Sequence, residues 1–119
     1  MAPTTCLGQR TTTTPFGRNV ETEGSPLRIS ELLSAIEGVS LVQRVSLDSY
    51  RNILSVKSAV QKALRYQIEK KGFSLVEMLS PCPTDWGLTP QASIQWIRRV
   101  MIPAFPLGVF KDKHREETA

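Results

Sequence analysis

The stretch from Val39 to Leu79 constrains the fold most, because its hydrophobic period changes from two to 3.6 and back again. Val39, Leu41, Val45 and Leu47 alternate with Ser40, Arg44 and Ser46, broken only by Val42, and predict a short strand covered on one face. Asp48 or Ser49 then offers a cap for a helix in which Ile53, Val56, Val60, Ala63, Leu64 and Ile68 share a side, ending at Lys70-Lys71-Gly72. Phe73 to Leu79 is a denser apolar run, suited to a strand buried on both faces. Strand, helix and strand in this order predict a βαβ crossover with parallel strands, hence an α/β fold with flanking helices.

The flanks read differently. Residues 1–24 hold Pro3, Gly8, Pro15, Gly17, Gly24 and the run Thr11-Thr12-Thr13-Thr14, and predict an extended N-terminal segment lying along another surface. Ser25 as N-cap, Pro26 at the first helical position, an apolar face of Ile29, Leu32, Leu33 and Ile36, and Gly38 as stop predict an amphipathic helix. Thr89 and Pro90 open another, with Trp96, Ile97, Val100 and Met101 on its apolar side and Pro103 as its end. Ala104 to Phe110 predicts an extended strip packed on a neighbouring surface, and 111–119 a charged, fraying tail in which His114 is solvated. The packed α/β part is thus 25–110. Two strands are too few for a complete parallel architecture, so the chain reads as one end of a larger α/β unit.

Between the second strand and the Thr89 helix runs Ser80-Pro81-Cys82-Pro83-Thr84-Asp85-Trp86-Gly87. A proline on each side fixes φ and removes two backbone donors, so Cys82 is expected on a stiff, non-helical loop that holds its thiol in a set position. The loop leaves the carboxyl end of a parallel strand, which is where open α/β sheets place their ligands. Trp96 reads as core, and Trp86 either as core or as a shield over a site at Cys82. The other cysteine, Cys6, gives no disulfide framework and no Cys-rich metal site.

Composition sets the remaining limits. At 119 residues the chain forms one domain at most. The net charge of +4 is spread over 15 basic and 11 acidic residues, with only Lys70-Lys71 and Arg98-Arg99 as basic doublets, so it predicts a solvated surface rather than a nucleic-acid interface. No apolar run reaches about 18 residues, and the start lacks a basic region followed by an apolar one, so a cytoplasmic location is the default expectation.

The stretch from Gly72 through Ser80-Pro81-Cys82-Pro83-Thr84-Asp85-Trp86-Gly87-Leu88-Thr89-Pro90 to Met101-Ile102-Pro103 and Phe105-Pro106-Leu107-Gly108 resembles the C-terminal part of the beta subunit of 2-oxoacid:ferredoxin oxidoreductases, in particular the 2-oxoglutarate type. Met1-Ala2-Pro3-Thr4-Thr5 through Thr14-Pro15-Phe16-Gly17-Arg18 is similar to the part of that subunit that follows its thiamine-diphosphate site. The resemblance implies a partial thiamine-diphosphate-binding fold. It also implies an enzyme that oxidatively decarboxylates a 2-oxoacid to an acyl-coenzyme A and passes electrons through a [4Fe–4S] cluster to ferredoxin. It makes Cys82 the counterpart of a fourth cluster thiolate.

The same resemblance exposes what is missing. The Gly-Asp-Gly motif that holds the diphosphate and Mg2+ does not occur, and neither do the other cluster cysteines, for which Cys6 is no substitute; Asp85 stands where asparagine is common. Met1 matches a methionine inside the longer subunit. The expectation is a C-terminal fragment or split-off product, without catalytic or cofactor-binding residues of its own beyond Cys82. It would be inactive without the alpha subunit and the missing N-terminal half, and would serve ferredoxin only in the full enzyme. The alternatives are a noncatalytic module that docks on oxidoreductase subunits through an unpaired sheet edge and the Phe105 to Phe110 segment, and haem or metal sensing through Cys82-Pro83.

Overall fold

Three strands form the sheet in the computed structural model, which describes residues 1–118: β1 (Val39–Ser46) lies at the centre, β2 (Phe73–Leu79) on one side and β3 (Gly108–Asp112) on the other. β1 and β2 are parallel, from Val39 opposite Phe73 to Ser46 opposite Leu79. The 19-residue helix α3 (Tyr50–Ile68) is the crossover between them, and Ser49 caps it by accepting from the Asn52 amide at 3.1 Å. The βαβ unit therefore forms as its periodicity predicts. At its far end Gly72 has φ +118°, and a Cβ there would run into the Ser40 hydroxyl, which donates to the Lys71 carbonyl.

The strands exchange the roles that their sequences suggest. β1, expected to be covered on one face, is buried almost throughout, whereas β2, expected to be buried on both, is the half-exposed edge. The cause is β3, which pairs antiparallel with β1 from Leu41 opposite Asp112 to Arg44 opposite Gly108 and makes β1 the central strand. Part of the proline-broken strip at 104–110 thus joins the sheet instead of lying on another surface. The sheet runs on through Lys111 and Asp112, and the Lys113 amide still donates to the Ser40 carbonyl. Ala119, at the end of the expected tail, lies outside the described residues.

Burial also turns α3 away from the face its aliphatic residues suggest. Ala59 and Tyr66 are its buried side chains, while Ile53, Leu64 and Ile68 are 45%, 59% and 82% exposed. A small side chain lets the helix approach the sheet, and the Tyr66 hydroxyl finds a buried acceptor in Asp112 Oδ1 at 2.7 Å. Asp112 also pairs with Lys62. His114 is not simply solvated: its ring meets Tyr66 edge-on at 5.6 Å.

The first predicted helix begins late. Asn19 caps a short turn, α1 (Val20–Glu23), and the next helix, α2 (Ile29–Ser34), starts beyond Ser25 and Pro26 and has no side-chain cap. Ser25 cannot serve because its carbonyl, with that of Gly24, is taken by the Arg18 guanidinium, and the Leu27 amide donates to Pro3. Leu32 and Ile36, expected in the core, are 58% and 51% exposed.

After β2 the chain forms a helical turn, α4 (Pro83–Trp86), and then α5 (Pro90–Trp96), capped by Thr89 as predicted. The helix widens to a π-turn over Ile97–Met101, where the Ile102 amide donates to Ile97, and closes with α6 (Ile102–Ala104). Pro103 has no amide for the ladder and its ring crowds the preceding turn; widening relieves both. Leu79, Ile97, Met101 and Phe105 form a buried cluster under this helix, with Cys6, Trp86 and Trp96 packed at its margin.

Candidate functional site around Cys82

Cys82 stands at the N-cap of α4, at φ −132° and ψ 74°, with its thiol exposed and its side chain free of any capping bond. The expected loop is partly helical: Pro83, with its φ preset, begins a turn in which the Trp86 amide donates to the Cys82 carbonyl at 3.0 Å. Leu88 donates to Pro83 at 3.0 Å, and Gly87 closes the turn in the left-handed region at φ 64°. The thiol is therefore carried on a closed, hydrogen-bonded frame directly beyond the carboxyl end of β2.

The threonine run fixes that frame to the N-terminal segment. Thr11 and Thr14 are buried and bonded hydroxyl to hydroxyl at 2.7 Å, and Thr14 donates to the Gln9 carbonyl at 3.0 Å. The tight turn they make presents Thr12, whose amide reaches the Asp85 carbonyl at 3.0 Å and whose hydroxyl reaches the Asp85 carboxylate. Asp85 thus spends its carboxylate on an anchor. Beside it a cleft of about 250 Å³ is lined by Gly8, Gln9, Arg10, Trp86, Leu88 and Trp96. Trp96 and Trp86 both pack at the margin of the core, as read for Trp96 and as one of the two readings of Trp86, and both also wall this cleft, whose lining does not include Cys82; the buried Trp96 Nε1 has no hydrogen-bond partner among the described residues.

Cys6 does not join Cys82 in a site. It sits half-buried against the Leu79 cluster with its thiol directed at the Thr4 carbonyl at 3.8 Å; burial pushes its pKa up against a smaller opposing effect of Arg18. Among the described residues no three His, Cys, Asp or Glu side chains converge. One thiolate does not make a cluster site, so the residues present do not fit a whole [4Fe–4S] group.

Two charged groups that position this region give no local sign of doing so. Asp48, at the carboxyl end of β1, is buried and accepts from Ser46 Oγ at 2.6 Å, Asn52 Nδ2 at 2.7 Å and Arg98 Nε at 3.1 Å, while Arg98 also donates to the Asp48 carbonyl at 2.6 Å. The sheet is thereby tied to the π-turn. Burial pushes the Asp48 carboxyl up, but the Ser46, Asn52 and Arg98 bonds outweigh it and hold the group below the usual carboxylate range. A depressed folded-state pKa contributes stability above the unfolded value of about 4, which is lost as pH falls through the folded value. Asp48→Asn is accordingly expected to cost ~1.5–3 kcal/mol at pH 7 and to flatten the acid limb of a stability-against-pH curve measured by urea unfolding.

The other group is Arg44, fully buried on β1. It meets Glu31 of α2 through two parallel bonds at 2.9 and 2.7 Å, Glu77 of β2 at 2.8 Å and the Pro106 carbonyl at 3.0 Å. The rings of Phe105 and Phe110 lie 5.5 and 5.0 Å from its guanidinium carbon. Arg44 and Glu77 sit on strands whose pattern reads as a polar face and an apolar run, and neither stretch by itself signals that the two meet.

No protein-family model matches the chain, and neither does any solved structure. Over 98% of its length it is 38% and 36% identical to ketoisovalerate oxidoreductase subunit VorA from Methanothermobacter marburgensis and Methanothermobacter thermautotrophicus. It is 32% identical, again over 98% of its length, to 2-oxoglutarate synthase subunit KorB from Archaeoglobus fulgidus. The chain spans only 24% of the first two relatives and 43% of the third. These relatives support a place in the 2-oxoacid:ferredoxin oxidoreductase family. Among the described residues no helix is long and apolar enough to cross a membrane.

Proposed function

We propose that this chain is the C-terminal part of the beta subunit of a 2-oxoacid:ferredoxin oxidoreductase and contributes one thiolate, Cys82, to a [4Fe–4S] site completed by the rest of the subunit. The observation that carries the reading is the match of nearly the whole chain to a fraction of subunits of two 2-oxoacid enzymes. The exposed Cys82 thiol on a clamped turn supports a thiolate role, and the reading assigns the further cluster ligands to the rest of the subunit. Thiamine diphosphate, Mg2+ and the 2-oxoacid, whether 2-oxoglutarate or a branched relative such as ketoisovalerate, belong to the missing N-terminal half and the alpha subunit. Ferredoxin enters only with the assembled enzyme.

The purified chain is expected to show no 2-oxoacid- and coenzyme-A-dependent reduction of a viologen, and to bind iron and sulfide far below one cluster per chain. Reconstituted anaerobically with the remainder of the subunit, it should restore the cluster, and Cys82→Ser should reduce bound iron at least severalfold while the subunits still assemble. Turnover by the isolated chain would defeat the reading. So would a Cys82→Ser variant with full iron content. Stoichiometric assembly without any cluster would favour the second reading, a noncatalytic docking module, for which the unpaired edge of β2 is the supporting observation.

A further inference from the structure

Gln9 is a polar side chain buried with half of its hydrogen-bonding capacity unused. It is 8% exposed, and its Oε1 accepts from the Cys6 amide at 2.9 Å. That bond fixes which end of the side-chain amide is oxygen, because a backbone N–H needs an acceptor, and it leaves Nε2 as the free end. Nε2 has no partner among the described residues. Neither is it sealed inside the protein, since Trp96 Nε1 is the one fully buried side-chain nitrogen or oxygen without a partner among those residues. Gln9 lines the cleft of about 250 Å³ beside the Cys82 turn, so the geometry directs its unused donors into that space.

The other side chains of the lining share one character. Arg10 is exposed and has no ion-pair or hydrogen-bond partner among the described residues. No carboxylate lines the cleft, and Asp85 beside Trp86 is already taken by the Thr12 hydroxyl. The rest is mainly apolar: two indoles, Leu88, and Gly8, where a Cβ would meet nothing within 4 Å. The rim is fixed in advance, which spares a ligand the cost of ordering it. The Gly8 amide donates to the Arg18 carbonyl at 2.9 Å, and the Gln9 carbonyl accepts from the Arg18 amide at 3.2 Å and the Thr14 hydroxyl at 3.0 Å. We propose that this cleft binds a small planar aromatic carboxylate, its ring against Trp86 and Trp96 and its oxygens on the Gln9 amide and the Arg10 guanidinium. Side chains that only donate call for an acceptor, a flat guanidinium matches a flat two-oxygen group, and indoles favour a flat ring. A phosphate ester would bring a second negative charge where the lining has one cation. The space equals about eight waters at ~30 Å³ each, room for one or two fused rings and too little for a nucleotide. Every residue of the site lies in this chain, and it depends neither on the cluster nor on the missing half of the subunit.

The test titrates the full chain with 2-naphthoate, followed by calorimetry and by the NMR signals of the indole N–H groups. The chain has two tryptophans and both wall the cleft, so both signals should move together and saturate, with a dissociation constant below ~1 mM. The neutral 2-naphthalenemethanol and the saturated, puckered decahydro-2-naphthoate should each bind at least tenfold more weakly. Arg10→Gln, at an exposed side chain, should weaken 2-naphthoate at least tenfold with circular dichroism and Tm unchanged. Gln9→Glu keeps an oxygen for the Cys6 amide but turns the free donor into an acceptor, and should weaken binding at least as much. Arg99→Gln, in the neighbouring groove across Leu88 and Trp96, should bind as the wild type does. Absence of a saturable shift at both indoles overturns the site. Equal binding of the alcohol or of the saturated acid overturns the proposed ligand class. Full affinity in both the Arg10 and Gln9 variants, or a loss confined to Arg99→Gln, overturns the assignment to this cleft.

Discussion

Arg44→Ala is expected to cost about 3–5 kcal/mol of stability, most of what a domain of this size possesses. Removing the guanidinium leaves Glu77, already largely buried, and part of Glu31 without their cation, strips a bond from the Pro106 carbonyl, and opens a void between Phe105 and Phe110. Three elements lose their common partner at once: α2 through Glu31, β2 through Glu77 and the approach to β3 through Pro106. Arg44→Lys should fail almost as badly, because a compact ammonium cannot make the paired bonds to Glu31 and reach Glu77 as well. Arg44→Met combined with Glu31→Gln and Glu77→Gln should recover a large part of the loss, since the cost lies in stranding charges more than in missing attraction. Urea unfolding followed by tryptophan fluorescence measures all three variants. A loss below about 1 kcal/mol for Arg44→Ala would mean that the pocket rehydrates at little cost, and that the buried charges need no common cation.

Arg18→Ala should release the N-terminal segment while the sheet stays folded. Its guanidinium donates to five backbone carbonyls, those of Ala2, Pro3, Thr5, Gly24 and Ser25, at 2.9–3.3 Å. It is the hub that closes residues 2 to 25 into one loop. With unsatisfied buried acceptors costing roughly 1–3 kcal/mol each, the local loss should reach about 3 kcal/mol even after water repairs the outer ones. The readout is limited proteolysis: cleavage between residues 2 and 25 should accelerate at least tenfold, with a shift in the emission of Trp86, whose cleft that segment lines. Unchanged cleavage would show that the Thr12 anchor on Asp85 suffices without Arg18.

The periodic elements are legible in the sequence because their signal is local. The alternation at 39–47 and the dense run at 73–79 become strands, and the Ser49 cap and the Thr89-Pro90 start open helices, as their residues predict, although the burial of the two strands is the reverse of what their patterns suggest. Structure and expectation part where a distant partner decides the outcome. Ser25 and Pro26 spell a helix start, but Arg18 draws their backbone away. β1 looks one-faced because Ser40, Arg44 and Ser46 are polar, yet all three are buried with hydrogen-bond partners elsewhere. β3 hides in a proline-broken strip because its pairing with β1 is non-local. At Cys82 the prolines foretell a stiff frame but not that Pro83 opens a helical turn, and nothing near it announces that Thr12 clamps Asp85 from 73 positions away.

The placing of β1 between β2 and β3 governs how this protein emerges from the ribosome. Arg44 is separated from Pro106 by 62 positions, so at roughly 5–20 residues per second the strand destined for the middle of the sheet waits ~3–12 s after its synthesis before its last neighbour exists. During that interval its apolar residues have only β2 and the two helices to cover them. A premature stop anywhere before Gly108 therefore trims more than an edge, since it leaves the central strand permanently half-dressed, and such nascent chains are natural clients for a chaperone that binds exposed aliphatic strands.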